Sequence, residues 1–128
     1  PNRITNLGIA GSLSSELKVG DFVSIRSIYL VQNEKLLFKT IQGNEKGADL
    51  ITSFERILDP SRAIPLKGFG KLVDREAWGC GFAAKKAGIP FECFKLISDE
   101  AGSIGACELI KDKALEFSTI LADEFFKL

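Results

Sequence analysis

The sequence contains no histidine. Catalytic triads, histidine metal centres and imidazole acid–base chemistry are excluded together. Net charge is also lacking, since 17 basic residues balance 17 acidic ones over 128 residues. At that balance no basic field for nucleic acid or for a membrane surface shows, and neutral partners or small molecules fit better. Long apolar runs are missing: the one around Phe94 to Ile97 falls far short of the ~20 residues that cross a bilayer, and no charged-then-apolar leader opens the chain. Three cysteines, Cys80, Cys93 and Cys107, are an odd and widely spaced set. They fit buried free thiols in a reducing cytoplasm better than a metal or redox centre, so neither a metal nor a cofactor is expected. Repeats and low-complexity tracts are absent. What remains is 45% hydrophobic content, enough core for residues 1–128 to form one globular domain.

Leu7 to Ala10 is a short apolar run that enters "GSLSSELKVGD", whose glycine and serine content predicts a loop ending in a tight turn at Gly20–Asp21. Phe22 to Val31 is rich in β-branched and aromatic residues, and "QNEK" separates it from Leu36 to Ile41, a second strand-like run. This predicts a hairpin or meander. After "GNEKG", residues 48–58 alternate imperfectly as a strand, and Asp59–Pro60–Ser61 stops it. Residues 61–71, with Pro65, Gly68 and Gly70, read as an irregular crossing with at most one helical turn.

The second half changes character. A short strand at 72–74 precedes a helix from Ala77 to Ala87, in which Ala77, Cys80, Gly81 and Ala84 form a stripe of small side chains suited to close approach to a sheet. Gly79 and Gly81 would each cost roughly 0.5–1 kcal/mol there unless close packing compensates. Gly88 and Ile89–Pro90 end the helix, and 91–97 is the next strand. Strand, helix and strand in so few residues predict a βαβ unit with parallel strands. A final amphipathic helix starts near Ile104 to Cys107, with Ile110, Ala114, Phe117, Leu121 and Phe125 on one face. Phe126 and Leu115 lie off that stripe, which points to a second buried face and hence a homodimer. Trp78 and Phe82 read as packing or subunit contacts. The expected class is α/β, a sheet mixed in its first half and parallel in its second.

In such sheets the ligand crevice lies beyond the carboxyl ends of parallel strands. "VDRE" and "ISDE" are acidic clusters placed where strands end, and "GIAGS" at 8–12 offers small residues and free backbone N–H groups for close approach by a planar or anionic ligand. All three should face one crevice. Asp99 and Glu76 could equally cap the segments that follow them, as acids near helix N-termini do.

"GIAGSLSSELKVGD" resembles the glycine-rich segment of the purine nucleoside phosphorylase and methylthioadenosine/S-adenosylhomocysteine nucleosidase superfamily. "LVDREAWGCGFAAKKAGIPFECFKLISDEAG" is similar to the block that follows in that superfamily, in the same order. The resemblance implies a three-layer phosphorylase-like domain with a mixed central sheet flanked by helices, truncated at its N-terminus. It implies a purine nucleoside as substrate and cleavage of its N-glycosidic bond. Asp99 would protonate the leaving base, held by Ser98. Glu76 would bind the ribose hydroxyls and stabilise the oxocarbenium-like sugar. Ala10 and Gly11 would border the base and the anomeric carbon, Ile57 and Leu58 would cover a face of the base, and Val73, Asp74 and Arg75 would complete the ribose wall.

Several positions depart from the superfamily pattern. Arg75 stands where a methionine is usual, Ser12 replaces a glycine, and Ile57 lacks the ring that would stack on a purine. The superfamily's first third, with its water-activating glutamate and phosphate-binding residues, precedes the region of resemblance. The expectation is therefore hydrolysis, with two alternatives: a phosphorolytic enzyme, or a catalytically incomplete binding or assembly protein that kept the fold.

Overall fold

The computed structural model describes residues 1–128, apart from the side chain of Phe38. Six strands are β1 (Ile4–Ser12), β2 (Phe22–Gln32), β3 (Lys35–Gln42), β4 (Ala48–Ser53), β5 (Leu72–Asp74) and β6 (Phe91–Glu100). Four helices are α1 (Pro60–Ala63), α2 (Ala77–Ala87), α3 (Ala106–Asp112) and α4 (Ala114–Lys127), and a 3₁₀ turn at Ile64–Leu66 follows α1. The strands form one mixed sheet in the order β3-β2-β4-β5-β1-β6. Phe22 to Ser24 of β2 also pair with Phe94 to Leu96 of β6, which closes the sheet on itself and removes an open edge there.

The β2–β3 hairpin forms because Asn33 and Glu34 both take positive φ, 52° and 63°, the twist that a two-residue turn needs to match paired strands. Alternation along the strands sorts the core into two clusters. Leu50 and Leu72 belong to one, with Ile25, Ile28, Ala10 and Ile97. Their neighbours Ile51 and Val73 belong to the other, with Leu13, Ala63, Leu66 and Ala101. Helix α2 covers the first cluster through Ala77, and Gly81 shows why its stripe must be small: a Cβ there would lie 2.4 Å from Ile41. Gly79 faces open space, so nothing compensates its cost. Gly88, at φ 68°, ends α2 in the left-handed conformation.

Four expectations change. Strand β4 stops at Ser53 rather than running to residue 58, and Phe54 to Leu58 leave the sheet as a loop. The β5–α2–β6 segment is not a parallel βαβ unit: β5 is antiparallel to β1, β1 is parallel to β6, and β1 lies between them. Strands β5 and β6 therefore run in opposite directions, so α2 is a return connection over β1 and not a crossover, and local sequence does not distinguish the two. The last helix is broken at Lys113, whose φ of −103° and ψ of 10° leave the helical region. Only Phe117 of its predicted stripe is fully buried, and Phe125 is half exposed. Finally, the thiols are free but not uniformly buried: Cys93 is buried, Cys80 partly so, and Cys107 exposed. Among the described residues no helix is long and apolar enough to cross a membrane.

Candidate active site

Thr52 of β4, Asp74 of β5, and Gly8 and Lys95 of β1 and β6 share the sheet face that carries Leu50, Leu72, Ala10 and Ile97, because side chains two apart point the same way. That face runs under the N-terminus of α2. Asp74 accepts a hydrogen bond from the Thr52 hydroxyl at 2.6 Å and another from the Ala77 backbone N–H at 2.9 Å, while the Trp78 N–H donates to Thr52 Oγ1 at 3.0 Å. Two free amides of the first helical turn are thus satisfied from the sheet.

Lys95 is the centre of this arrangement. Its ammonium lies 2.8 Å from Asp74 Oδ2 and 2.7 Å from Glu76 Oε1, with its side chain closed to solvent. Burial alone would lower the lysine pKa, but the two carboxylates outweigh it and hold the ammonium above its ordinary range. Glu76 is half exposed, so one end of it is tied to the lysine while the rest meets the cleft. Gly8 makes room for the pair: a Cβ there would sit 3.2 Å from Glu76 Oε1 and 3.3 Å from Lys95 Nζ.

Asp99 lies near the end of β6, where the β1–β6 register shifts between Ala10 and Gly11, so that Ala10 pairs with Ile97 but Gly11 pairs with Asp99. The irregularity sets two successive polar residues, Ser98 and Asp99, into the wall of the cleft. Asp99 is only 8% exposed, and burial pushes its carboxyl above the usual aspartate range. The Ser98 hydroxyl donates to Asp99 Oδ1, which partly opposes that rise. At Gly11 a Cβ would meet Asp99 Oδ2 and the Ala101 Cβ at 3.1 Å each. Close approach, not a turn, is what requires glycine there.

A cleft of about 300 Å³ collects Gly11, Ile57, Leu58, Val73, Asp74, Arg75, Glu76, Ser98 and Asp99. Ala10 does not reach it, being 3% exposed and packed in the core under the strand. The acids therefore face one crevice, but not for the reason given by parallel-strand topology. Strand β5 runs against β1 and β6, so "VDRE" enters the cleft from the opposite direction to "ISDE". Lys95 was not among the expected residues, and Gly8 was expected only within "GIAGS", to let a ligand approach and not to make room for an ion pair. Their signal was present: a lysine between Cys93 and Ile97 on the buried parity of an apolar strand, and a glycine within another. Cys93 is inert by comparison, its thiol pushed up to about 12 by burial. The described residues contain no cluster of acids and cysteines able to hold a metal ion.

No family model matches this sequence, and no curated protein matches it. Solved structures do. A futalosine hydrolase mutant from Helicobacter pylori superposes with a TM-score of 0.83 at 17% identity, over 98% of this chain and 67% of its own. The fold is that of the nucleosidases. An H. pylori methylthioadenosine nucleosidase variant with 5′-methylthioadenosine in its active site gives 0.85 at 17% identity, over 98% of this chain and 67% of that one. The S-adenosylhomocysteine nucleosidase of Streptococcus pyogenes, in complex with 5-methylthiotubericidin, gives 0.80 at 18% identity, over 95% and 64%. The chain spans 62 to 69% of the length of the solved nucleosidase chains it matches.

Proposed function

We propose that this cleft binds a purine nucleoside and hydrolyses its N-glycosidic bond. The observation that carries the reading is the pairing of a buried Asp99, its carboxyl raised above the usual aspartate range by burial, with a lysine-anchored Glu76 in one cleft, in a fold shared with nucleosidases. Asp99 donates its proton to the imidazole-ring nitrogen of the purine, which leaves as a neutral base. A carboxyl held above its ordinary range keeps that proton nearer neutrality, as a general acid must. Glu76 accepts hydrogen bonds from the ribose hydroxyls, and its negative charge stabilises the cationic sugar as the bond breaks. Lys95 fixes the orientation of Glu76, while Ser98 does the same for Asp99. Ile57, Leu58 and Val73 supply apolar contact to base and sugar. Water completes the reaction at the anomeric carbon, beside Gly11.

Phosphorolysis is the variant in which phosphate replaces that water. A second reading, a binding or assembly protein with this fold but without turnover, is favoured by one observation: among the described residues the cleft lining holds no aromatic ring to stack on a purine, only Ile57 and Leu58 in the loop after β4. Pairing of two copies through the exposed Leu115 and Phe126 of α4, in a reducing cytoplasm where the thiols stay free, completes the proposal.

The test is release of free purine from adenosine, inosine and 5′-methylthioadenosine, with and without phosphate, by the wild-type chain and by Asp99→Asn and Glu76→Gln. Release without phosphate that both substitutions abolish supports hydrolysis. Binding of nucleoside without release supports the second reading, and the absence of binding overturns both.

A further inference from the structure

Arg3, Arg26 and Arg62 each hold a carboxylate, at 3.1 Å from Glu92, 2.8 Å from Asp49 and 2.7 Å from Glu55. Among the described residues, Arg56 and Arg75 hold none, and both line the cleft. Arg75 Nη2 donates to the Phe54 backbone carbonyl at 3.1 Å, and Arg56 Nη2 lies 3.3 Å from Cys107 Sγ, a weak acceptor. A guanidinium has five donors, so most of each fork is unused by the protein. The carboxylates nearby are committed: Glu55 to Arg62, Asp74 and Glu76 to Lys95, and Asp99 to the Ser98 hydroxyl. The same lining includes the apolar Ile57, Leu58 and Val73, so a charged hydrogen bond formed in the cleft is less well hydrated than one on open surface.

We propose that Arg56 and Arg75 form an anion-reading pair at the rim of this cleft, which takes a carboxylate or phosphate beside the bound nucleoside. The inference rests on the nucleoside reading above and adds the charge of what is bound. The anion has two possible sources, an acidic substituent of the nucleoside itself or free inorganic phosphate. Either would accept the paired N–H groups of an arginine in bidentate fashion, which a methionine at position 75 could not offer.

Calorimetric titration at low salt distinguishes the sources, using inosine, its 5′-carboxylate and inorganic phosphate with wild type, Arg56→Gln, Arg75→Met and the double variant. If the nucleoside carries the anion, wild type binds the 5′-carboxylate at least about tenfold more tightly than inosine, and the double variant brings that ratio to one. If phosphate is the source, the two nucleosides bind alike, and phosphate binds wild type but not the double variant. Equal nucleoside affinities without phosphate binding overturn the proposal, as does a preference that survives in the double variant. Arginine-dependent phosphate binding with no nucleoside bound would retain the pair and defeat the nucleoside reading, while no binding of any kind defeats both. Both side chains are exposed, so the double variant should melt with wild type, which controls for folding.

Discussion

Along the inner wall of the cleft, Asp74 and Lys95 have side chains closed to solvent, and Asp99 and Ser98 are nearly so. On the rim, Arg56, Leu58 and Arg75 stand exposed, and the arginines keep unused donors. The inner wall lies on paired strands, where each polar group is held by a neighbour: no buried side-chain N or O among the described residues lacks a partner. Much of the rim lies on the loop that leaves β4 at Phe54 and on the start of α3. The contrast separates two tasks. In the proposed reaction bond cleavage needs a proton and a negative charge held in place, which the packed strands supply directly at Asp99 and, through Lys95, at Glu76 just beyond β5. Selection of what enters requires adaptable groups that water can reach, and loops supply those.

Breaking the inner wall at its centre should have the largest effect. Lys95→Met would leave Asp74 buried without its cation, and removal of one partner of a buried ion pair costs about 3–5 kcal/mol. Urea denaturation should show that loss, and an unchanged midpoint would mean that the ammonium contributes nothing net. Asp99→Asn should act oppositely on stability and activity. It should lower purine release by about 10²–10⁴-fold, the usual contribution of a positioned acid. Yet it should raise the melting temperature near neutral pH, because it removes a carboxyl that burial makes costly to ionise. The sign follows from the raised value: the cost is absent below the unfolded-state pKa and grows as pH rises through the folded one. Calorimetric scans at acidic and neutral pH should therefore converge at the acidic end.

Smaller changes sharpen the contrast. Gly8→Ala would press its Cβ against Glu76 Oε1 and Lys95 Nζ, 3.2 and 3.3 Å away, so the carboxylate must move by a few tenths of an ångström. We expect about a tenfold fall in kcat/KM with little change in melting temperature, since Glu76 is half exposed and can yield. On the rim, Arg75→Met should change stability by less than about 0.5 kcal/mol, as exposed substitutions usually do, and thermal melts will show whether it does.

Much of the inner wall was legible in the sequence because short-range rules govern it. Apolar strands ending in acids, a helix of small residues and a glycine stop are local patterns, and they placed β5, α2 and β6 close to where they lie. Strand order and direction were not legible: α2 returns its strand one place beyond β5 and antiparallel to it, because β1, which ends about sixty residues before β5 starts, lies between them. The convergence of Asp99 and Glu76 was foreseen on a topology that does not hold. Lys95 was overlooked because a lone lysine in a strand is ordinarily solvated, and its burial depends on two carboxylates brought from another strand and the loop after it. Helix α4 does pack on β1 and β6, but its buried stripe was overread: Phe117 alone of the expected face is buried, since periodicity identifies an apolar face but not how much of it is covered.

The central claim is that Asp99 gives its proton to the leaving base. The most direct measurement is the pH dependence of kcat for purine release by wild type, set beside the residual rate of Asp99→Asn. The account predicts that the wild-type rate falls as pH rises through a value above the ordinary aspartate range, and that Asp99→Asn lacks this limb. The same limb in both proteins would assign the proton to another group and contradict the account.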